Sequence, residues 1–232
     1  MKKIILLVLT TYSLVANTLP QRIETTIKSI HGNTIQLAQN VSEGMSGLVV
    51  HDYGNGLSAI THSVISTQNG KAKVLPYTAI LHENIPTVQT EAKVNDKVIL
   101  GNFYDNALLI APDARSYSNI TKKFNKTWIH PDAYALQFMS EERSEISLES
   151  LEKFAMNNQV GLVLIATQTK LLILDPISKK FLGQREIKGT STEAMKPFFS
   201  RFEHMDVSTF GFSDIRLKDY YKAIQDLKQQ KR

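Results

Sequence analysis

A glycine motif near the middle of the first hundred residues has the spacing of a nucleotide-binding turn. Gly54, Gly56 and Ala59 spell G-x-G-x-x-A after an apolar run, as in the turn that holds a dinucleotide pyrophosphate. That turn must open a helix, because the phosphates bind the unpaired N–H groups of a helix N-terminus. Here β-branched residues follow instead, and they lead to Asn69-Gly70, a strong hairpin signal. The motif therefore predicts strand, turn and strand.

Two further residues have the chemistry of a nucleophile and a catalytic carboxylate. Ser46 lies in GMSGL, which departs from the G-x-S-x-G elbow and precedes a strand, so we expect a turn residue. Asp175 ends an apolar run in LILDPIS, and its Asp-Pro pair favours the start of a turn over catalysis. Since no nucleophile, base and orienting residue converge, the sequence indicates that the protein is not an enzyme.

Six histidines are the remaining candidates for metal ligands; they are His31, His51, His62, His82, His130 and His204. No two stand four residues apart, so a zinc site would need ligands from separate strands. His51 and His62 flank one predicted hairpin, and we interpret them as hydrogen-bonded strand residues rather than a metal pair. The chain has no cysteine, which excludes thiolate sites and disulfides. We predict no metal and no cofactor.

The charge pattern gives little reason to expect a nucleic-acid partner. The net charge is +5, of which Lys2 and Lys3 supply two, so +3 remains after them. Aromatic residues beside lysines, as in DYYKAIQDLK, could stack on single-stranded nucleic acid. Tyr220 and Ile224 stand at helical spacing, however, and fit a core stripe better. We predict no nucleic-acid binding.

The N-terminus has the pattern of a secretory signal peptide over residues 1–16. Lys2 and Lys3 precede an apolar run from Ile4 to Val15, and the small residue Ala16 follows. The run is too short for a stable bilayer span, so we predict no transmembrane anchor in the mature chain. Export without disulfides suits a bacterial envelope. The expected location is the periplasm, the outer surface or the medium.

The elements that would position these residues form two successive modules. Residues 23–103 read as six short strands separated by glycine turns, which predicts a small antiparallel β-barrel or sandwich. Residues 104–190 read as a buried strand, helices and a three-stranded meander. Pro112 and Pro131 are expected at helix starts, and Ser147 as a helix cap with Ile146 and Leu151 as a hydrophobic staple.

The last part of the chain, residues 191–232, is predicted to carry an amphipathic helix and a basic end. The helix is expected from about Asp214, with an apolar stripe at Leu217, Tyr220, Tyr221, Ile224 and Leu227. The segment from Lys228 onward is expected to fray beyond this helix. The fold class is therefore α+β: a small antiparallel β-barrel or sandwich module, then an α+β layer and a C-terminal helix.

Four stretches in this order resemble the N-terminal domain of the bacterial plasminogen-binding proteins PgbA and PgbB. They are GMSGLVVHDY (44–53), VNDKVILGNFYDNALLIAPD (94–113), TKKFNKTWIHPDAYA (121–135) and NNQVGLVLIATQTKLLILDPISKKFL (157–182). The resemblance implies an exported, surface-associated, non-enzymatic protein that captures host plasminogen. Members of that family are held by plasminogen through their lysine side chains, especially C-terminal ones, which enter the kringle lysine sites of plasminogen. The resemblance therefore implies partner-binding roles for Lys228, Lys231 and Arg232.

Two alternatives remain open beside plasminogen capture. The chain could be a structural or assembly module of the bacterial cell envelope that shares the domain without binding plasminogen. It could also be an unrecognised hydrolase or sugar-binding enzyme, which the lack of a convergent catalytic set disfavours. The internal pairs Lys122 and Lys123, and Lys179 and Lys180, are the alternative lysines for capture.

Overall fold

A computed structural model describes residues 19–77, 90–191, 193–202 and 219–230. The predicted signal peptide lies outside these residues, as do positions 78–89. Within the described ranges the chain forms a closed six-stranded barrel, a five-stranded mixed sheet and four α-helices. The predicted α+β class is confirmed.

The barrel contains the six strands that the glycine-separated pattern predicts. They are β1 (Ile23–His31), β2 (Thr34–Leu37), β3 (Ser46–Gly54), β4 (Leu57–Ser66), β5 (Lys71–Pro76) and β6 (Lys97–Leu100). Their order around the barrel is β1-β2-β5-β4-β3-β6, with every pair antiparallel and β6 closing on β1. Of the two predicted architectures, the chain therefore adopts the barrel.

Both glycine-containing turns that the sequence marks join antiparallel strands of the barrel. Asn55 and Gly56 have φ of 54° and 78° and connect β3 to β4. Positive φ at both positions is the requirement of the tight hairpin turn that matches strand twist. Asn69, with φ of 61°, lies in the short 3₁₀ turn between β4 and β5. The G-x-G-x-x-A motif is thus a hairpin.

The second sheet combines the predicted buried strand and meander with one short strand that the sequence did not indicate. Its strands are β7 (Asn106–Ile110), β8 (Thr127–Ile129), β9 (Leu162–Ala166), β10 (Lys170–Asp175) and β11 (Lys180–Glu186), in the order β11-β10-β9-β7-β8. The meander β9-β10-β11 is antiparallel, whereas β7 runs parallel to β8 and β9. As predicted, β11 is an edge strand.

Four α-helices flank this sheet: α1 (Ala114–Thr121), α2 (Pro131–Ser140), α3 (Leu148–Asn158) and α4 (Tyr220–Gln229). Helices α2, α3 and α4 supply buried residues to the core on one face, whereas Ile120 of α1 belongs to the core on the barrel side. Pro131 is the first helical residue of α2, and the Ser147 side chain caps α3 by accepting from the Ser150 N–H at 3.1 Å. Both features confirm the sequence prediction. Pro112, in contrast, precedes α1, because Asp113 takes the cap and accepts from the Ser116 N–H at 2.9 Å.

The sheet lies between two cores because its side chains alternate. Leu109, Leu164 and Ile173 belong to the core that the barrel residues complete. Ile110, Val163 and Leu172, on the other face, pack with aromatic residues of the helices. The sheet therefore joins the barrel to the helices, because its residues contribute to both cores.

The C-terminal helix confirms most of its predicted stripe. Tyr220, Ile224 and Leu227 are buried, whereas Leu217 lies outside the described residues. The Tyr220 hydroxyl donates to the carbonyls of Ile110 and Ala166, at 3.0 and 2.6 Å. Burial raises the pKa of Tyr220 well above its ordinary value. This hydroxyl ties α4 to the ends of two central strands.

Candidate functional site

Ser46 and Asp175, the two residues with catalytic chemistry, come together where the barrel meets the sheet. Asp175 Oδ2 accepts hydrogen bonds from the Ser46 backbone N–H at 2.8 Å, the Ser46 hydroxyl at 2.7 Å and the Tyr104 hydroxyl at 2.6 Å. Asp175 Oδ1 accepts from the Ser178 N–H at 2.9 Å. Asp175 is 0% exposed. We call Ser46, Tyr104, Asp175 and Ser178 the junction.

The geometry of the junction favours cohesion over catalysis. The Ser46 hydroxyl donates to a carboxylate that already accepts from two other donors on the same oxygen. Burial raises the pKa of Tyr104 far above its ordinary value, and the Asp175 charge adds to the shift. The Tyr104 hydroxyl therefore stays protonated and donates. Every polar group in the junction already has a partner, so none is poised to attack a substrate.

Close backbone packing surrounds the same point. Gly44 has φ of +90°, and a Cβ there would lie 2.8 Å from the Lys180 Cβ. A Cβ on Gly47 would collide with the Ile99 carbonyl oxygen. The Ser178 hydroxyl also donates to the Gly44 carbonyl at 2.5 Å. The GMSG segment is therefore a contact between barrel and sheet, which Gly44 permits by lying against β11, whereas Gly47 permits close packing against β6 within the barrel.

These observations correct the interpretation of Ser46 and extend that of Asp175. Ser46 is the first residue of β3 and not a turn residue, because its N–H and hydroxyl both reach across to the sheet. Asp175 does start a turn, through its bond to Ser178. The same side chain also joins two modules, which the Asp-Pro pattern could not indicate.

An apolar groove of about 460 Å³ lies beside the junction, between the barrel and α3. Phe103 and Met156 line it and are 42% and 51% exposed. Three of the polar residues at its wall are already engaged: Ser46 and Tyr104 bind Asp175, and Glu152 pairs with Lys179 at 2.6 Å. The groove thus presents mainly apolar surface.

The histidines occupy separate structural positions. His51 Nδ1 lies 2.6 Å from Asp96 Oδ1, and its ring packs edge-on against Tyr53. His130 caps α2 by accepting from the Asp132 N–H at 3.2 Å. His62 lies on β4 opposite Val49 and its buried Nδ1 has no hydrogen-bond partner among the described residues.

The expectation that both strand histidines are hydrogen-bonded is therefore confirmed for His51, whereas the buried Nδ1 of His62 lacks a partner among the described residues. His82 and His204 lie outside the described residues. No group of three or more potential metal ligands occurs in the part of the chain that the structure describes. Across the same ranges, none of the helices has the length and apolarity needed to cross a membrane.

Of the three residues expected to bind a partner, the structure describes one. Lys228 is exposed and lies in the last turn of α4, so it does not fray beyond the helix as expected. Its charge complements the negative helix end. Lys231 and Arg232 lie outside the described residues. Gln230, between Lys228 and Lys231, accepts from the Leu148 N–H at 3.2 Å and so contacts the start of α3.

The alternative lysines differ in how far they are committed to other contacts. Lys122 and Lys123 are exposed at the end of α1 and form no ion pair with a described residue, although Lys123 Nζ lies 5.6 Å from the centre of the Phe124 ring. Lys179 pairs with Glu152. Lys180 is exposed on β11 beside Gly44. Lys122 and Lys123 are therefore less engaged in contacts with other residues than Lys179 and Lys180.

Sequence reasoning missed one group of basic residues, on the outside of the barrel. Lys28, Lys71 and Lys73 are exposed, and none forms an ion pair with a described residue. Lys71 and Lys73 flank the buried Ala72, so the alternation in the KAK tripeptide was a usable signal. Lys28 lies at an irregularity of β1, which no local pattern indicates.

The family of the chain follows from comparison with known proteins. The sequence profile of the family described as "Plasminogen-binding protein pgbA N-terminal" matches residues 22–227. The chain belongs to this family. The match includes the whole barrel, the sheet and most of α4, so the junction is a feature of a PgbA N-terminal domain.

Two curated relatives support this assignment. Both are named plasminogen-binding protein PgbA and come from Helicobacter pylori, strains J99 and 26695. They are 30% and 29% identical to the chain over 175 residues, which is 73% of the chain and 38% of each relative. The PgbA-like region thus matches well under half of either relative. No solved structure gives a significant match.

Proposed function

We propose that this chain is an exported bacterial protein that binds host plasminogen at the cell surface and acts by capture, without catalysis. The observation that carries the proposal is the family match over residues 22–227, together with two relatives named for plasminogen binding. The engaged polar groups of the junction support the non-enzymatic part, because a catalytic site needs an unengaged nucleophile and base.

Exposed lysines without an acidic partner supply the chemistry of capture. A kringle lysine site holds an ammonium group between carboxylates, so a free lysine can enter it without breaking an ion pair inside its own protein. Of the lysines proposed from the sequence for capture, Lys228 on α4 and the pair Lys122 and Lys123 after α1 satisfy this condition among the described residues. Contacts of this kind are exposed and individually weak.

The basic end of the chain is the first candidate for the binding site. Substituting Lys228, Lys231 and Arg232 together by alanine is expected to weaken plasminogen binding about tenfold, since each exposed charge pair contributes up to about 1 kcal/mol. The measurement is a titration of the purified chain against plasminogen, repeated with a free lysine analogue as competitor. Substitution is preferred to deletion because Gln230 contacts the first residue of α3.

A control at a different place on the chain uses the free pair Lys122 and Lys123. The variant Lys122→Ala and Lys123→Ala removes exposed positive charge at a different place and should bind plasminogen as the unchanged chain does. If the control weakens binding and the C-terminal variant does not, the site is at α1. If the unchanged chain shows no binding that a lysine analogue competes with, the plasminogen proposal fails.

Export is a separate part of the proposal. The cationic start and the apolar run from Ile4 to Val15 support removal of residues 1–16. We expect N-terminal sequencing of protein from the envelope fraction or medium to begin near Asn17. Recovery from the cytosol with Met1 in place would contradict export and leave the binding proposal untouched.

An envelope module without plasminogen binding is the second candidate function. Two observations favour it: the matched region is 38% of each relative, and Ser46, Tyr104 and Asp175 within the family-like stretches serve cohesion. Activity could then belong to the remainder of those proteins. The same titration separates the two candidates, because this one requires a folded chain with no affinity for plasminogen.

A further inference from the structure

The outer face of β1, β2 and β5 concentrates positive charge on one side of the barrel. Lys71 and Lys73 project outward from β5, because Ala72 between them is buried in the core. Lys71 lies opposite Gln36 of β2, and Gln36 in turn lies opposite Ser29 of β1. Lys28 precedes Ser29 at the register shift and is exposed. We call Lys28, Lys71 and Lys73 the barrel lysines.

Strand geometry sets the spacing of these charges. Neighbouring strands lie about 4.8 Å apart, so the backbones at Lys28 and Lys71 are separated by about 10 Å. Lys71 and Lys73 are about 7 Å apart along one strand. The three ammonium groups therefore form an array on one face and not a single compact site, which suits a ligand with repeated negative charges.

No acidic group neutralises this array among the described residues. The outward acid of β1 is Glu24, which already pairs with Arg22 and with Lys97. Neighbouring positive charges lower its pKa, chiefly through the Lys97 hydrogen bond. Glu24 also lies four residues before Lys28, more than about 10 Å along the strand. The barrel lysines are thus free to attract an external anion.

The rest of the face narrows the class of ligand. The outward residues beside the lysines are polar, namely Ser29, Thr34 and Gln36, with His31 at the strand end. None of the exposed large hydrophobic residues belongs to β1, β2 or β5. Stable membrane binding requires apolar or aromatic residues beside the basic ones, and single-stranded nucleic acids are bound through stacking aromatic residues. A hydroxyl-rich polyanion needs neither.

We propose that the barrel lysines form a docking surface for an acidic polysaccharide, whose sulfate or carboxylate groups pair with the ammonium groups. Lysine suits such a ligand because it is a point charge on a flexible stem and does not require one fixed geometry. In the closed ring, β2 lies three strands from β3 in either direction. The surface is therefore on the opposite side of the barrel from the Ser46 end of the junction.

The test uses heparin as a sulfated probe and polygalacturonate as a carboxylated one. The variant Lys28→Gln, Lys71→Gln and Lys73→Gln is compared with a control of equal charge, Lys122→Gln, Lys123→Gln and Lys188→Gln, all exposed lysines. We expect the unchanged chain and the control to bind at least one probe, more weakly as salt increases. The barrel variant should bind about tenfold more weakly.

Three outcomes would overturn the proposal. The first is that the unchanged chain binds neither probe at low salt. The second is that both variants lose affinity equally, which would assign the effect to net charge. The third is that the barrel variant loses binding to vesicles of phosphatidylglycerol and phosphatidylcholine while its polysaccharide binding is unchanged. Because all three lysines are exposed, equal melting temperatures are expected and verify that the variants are folded.

Discussion

Replacing Leu164 by aspartate is expected to unfold the domain. Leu164 lies in β9, the middle strand of the five-stranded sheet, and is 0% exposed. Its neighbours across the sheet are Leu109 and Ile173, and all three belong to the core that the barrel completes. The new carboxylate would have no partner there, so a loss above about 4 kcal/mol is expected.

Two further variants separate charge from size and from position. Leu164→Ala removes volume without adding charge and should cost about 2–5 kcal/mol. Gln184→Asp adds the same charge on an exposed position of the edge strand β11 and should change stability by less than about 1 kcal/mol. Denaturant unfolding measures all three. A Leu164→Asp protein that unfolds at the parent's midpoint would show that this face of the sheet is not a core.

The elements that the sequence predicted are those specified by neighbouring residues. Short stretches of strand-forming residues, separated by glycine turns, predicted six strands. The Ser147 cap and the position of Pro131 depend on contacts within one helical turn. Local periodicity and local hydrogen bonds can be recognised in a single sequence because the interacting residues are close together in it.

The features that the sequence did not predict depend on residues far apart in the chain. Ser46 and Asp175 are separated by 129 positions, and their contact requires the barrel and the sheet to dock first. Strand β8 has three residues and exists because β7 offers it a parallel partner. Neither feature is specified by neighbouring residues in the sequence. At Asp175 the sequence therefore predicted only the start of a turn.

The candidate binding residues divide in the same way. Exposure of Lys228 was predicted because it follows the apolar stripe that ends at Leu227, although Lys228 lies within α4 and not beyond it. The face that Lys28 shares with Lys71 requires the pairing of β2 with both β1 and β5. Only a three-dimensional structure places these lysines together, whereas the C-terminal lysines were proposed from the family resemblance.

The Asp175 side chain is expected to be the polar group on which docking of barrel and sheet depends most. It accepts hydrogen bonds from Ser46, Tyr104 and Ser178 while completely buried. Asp175→Ala would leave four donors without this acceptor, of which the Tyr104 hydroxyl and the Ser178 N–H are buried and the two donors of Ser46 are part-buried. Since an unsatisfied buried group costs about 1–3 kcal/mol, we expect a total loss of about 4 kcal/mol or more.

The junction can be examined one donor at a time. Tyr104→Phe removes one hydroxyl donor and should cost about 1.5–3 kcal/mol, the range for a hydrogen bond to a charged group. Ser46→Ala should cost less, because the Ser46 backbone N–H still donates to Asp175. Coupling between these two substitutions in a double-mutant cycle is expected, since both hydroxyls donate to the same oxygen, Asp175 Oδ2.

Asp175→Asn is the most specific of these tests because it preserves shape and changes only the charge and the hydrogen-bonding capacity. An amide has one acceptor oxygen, whereas Asp175 accepts on both oxygens. Whichever way the amide turns, its NH₂ group faces a donor, either the Ser178 N–H or the pair of hydroxyls. We therefore expect a loss of about 3 kcal/mol or more, measured by denaturant unfolding. Unfolding of the asparagine variant at the parent's midpoint would show that apolar packing, and not this carboxylate, holds the barrel against the sheet.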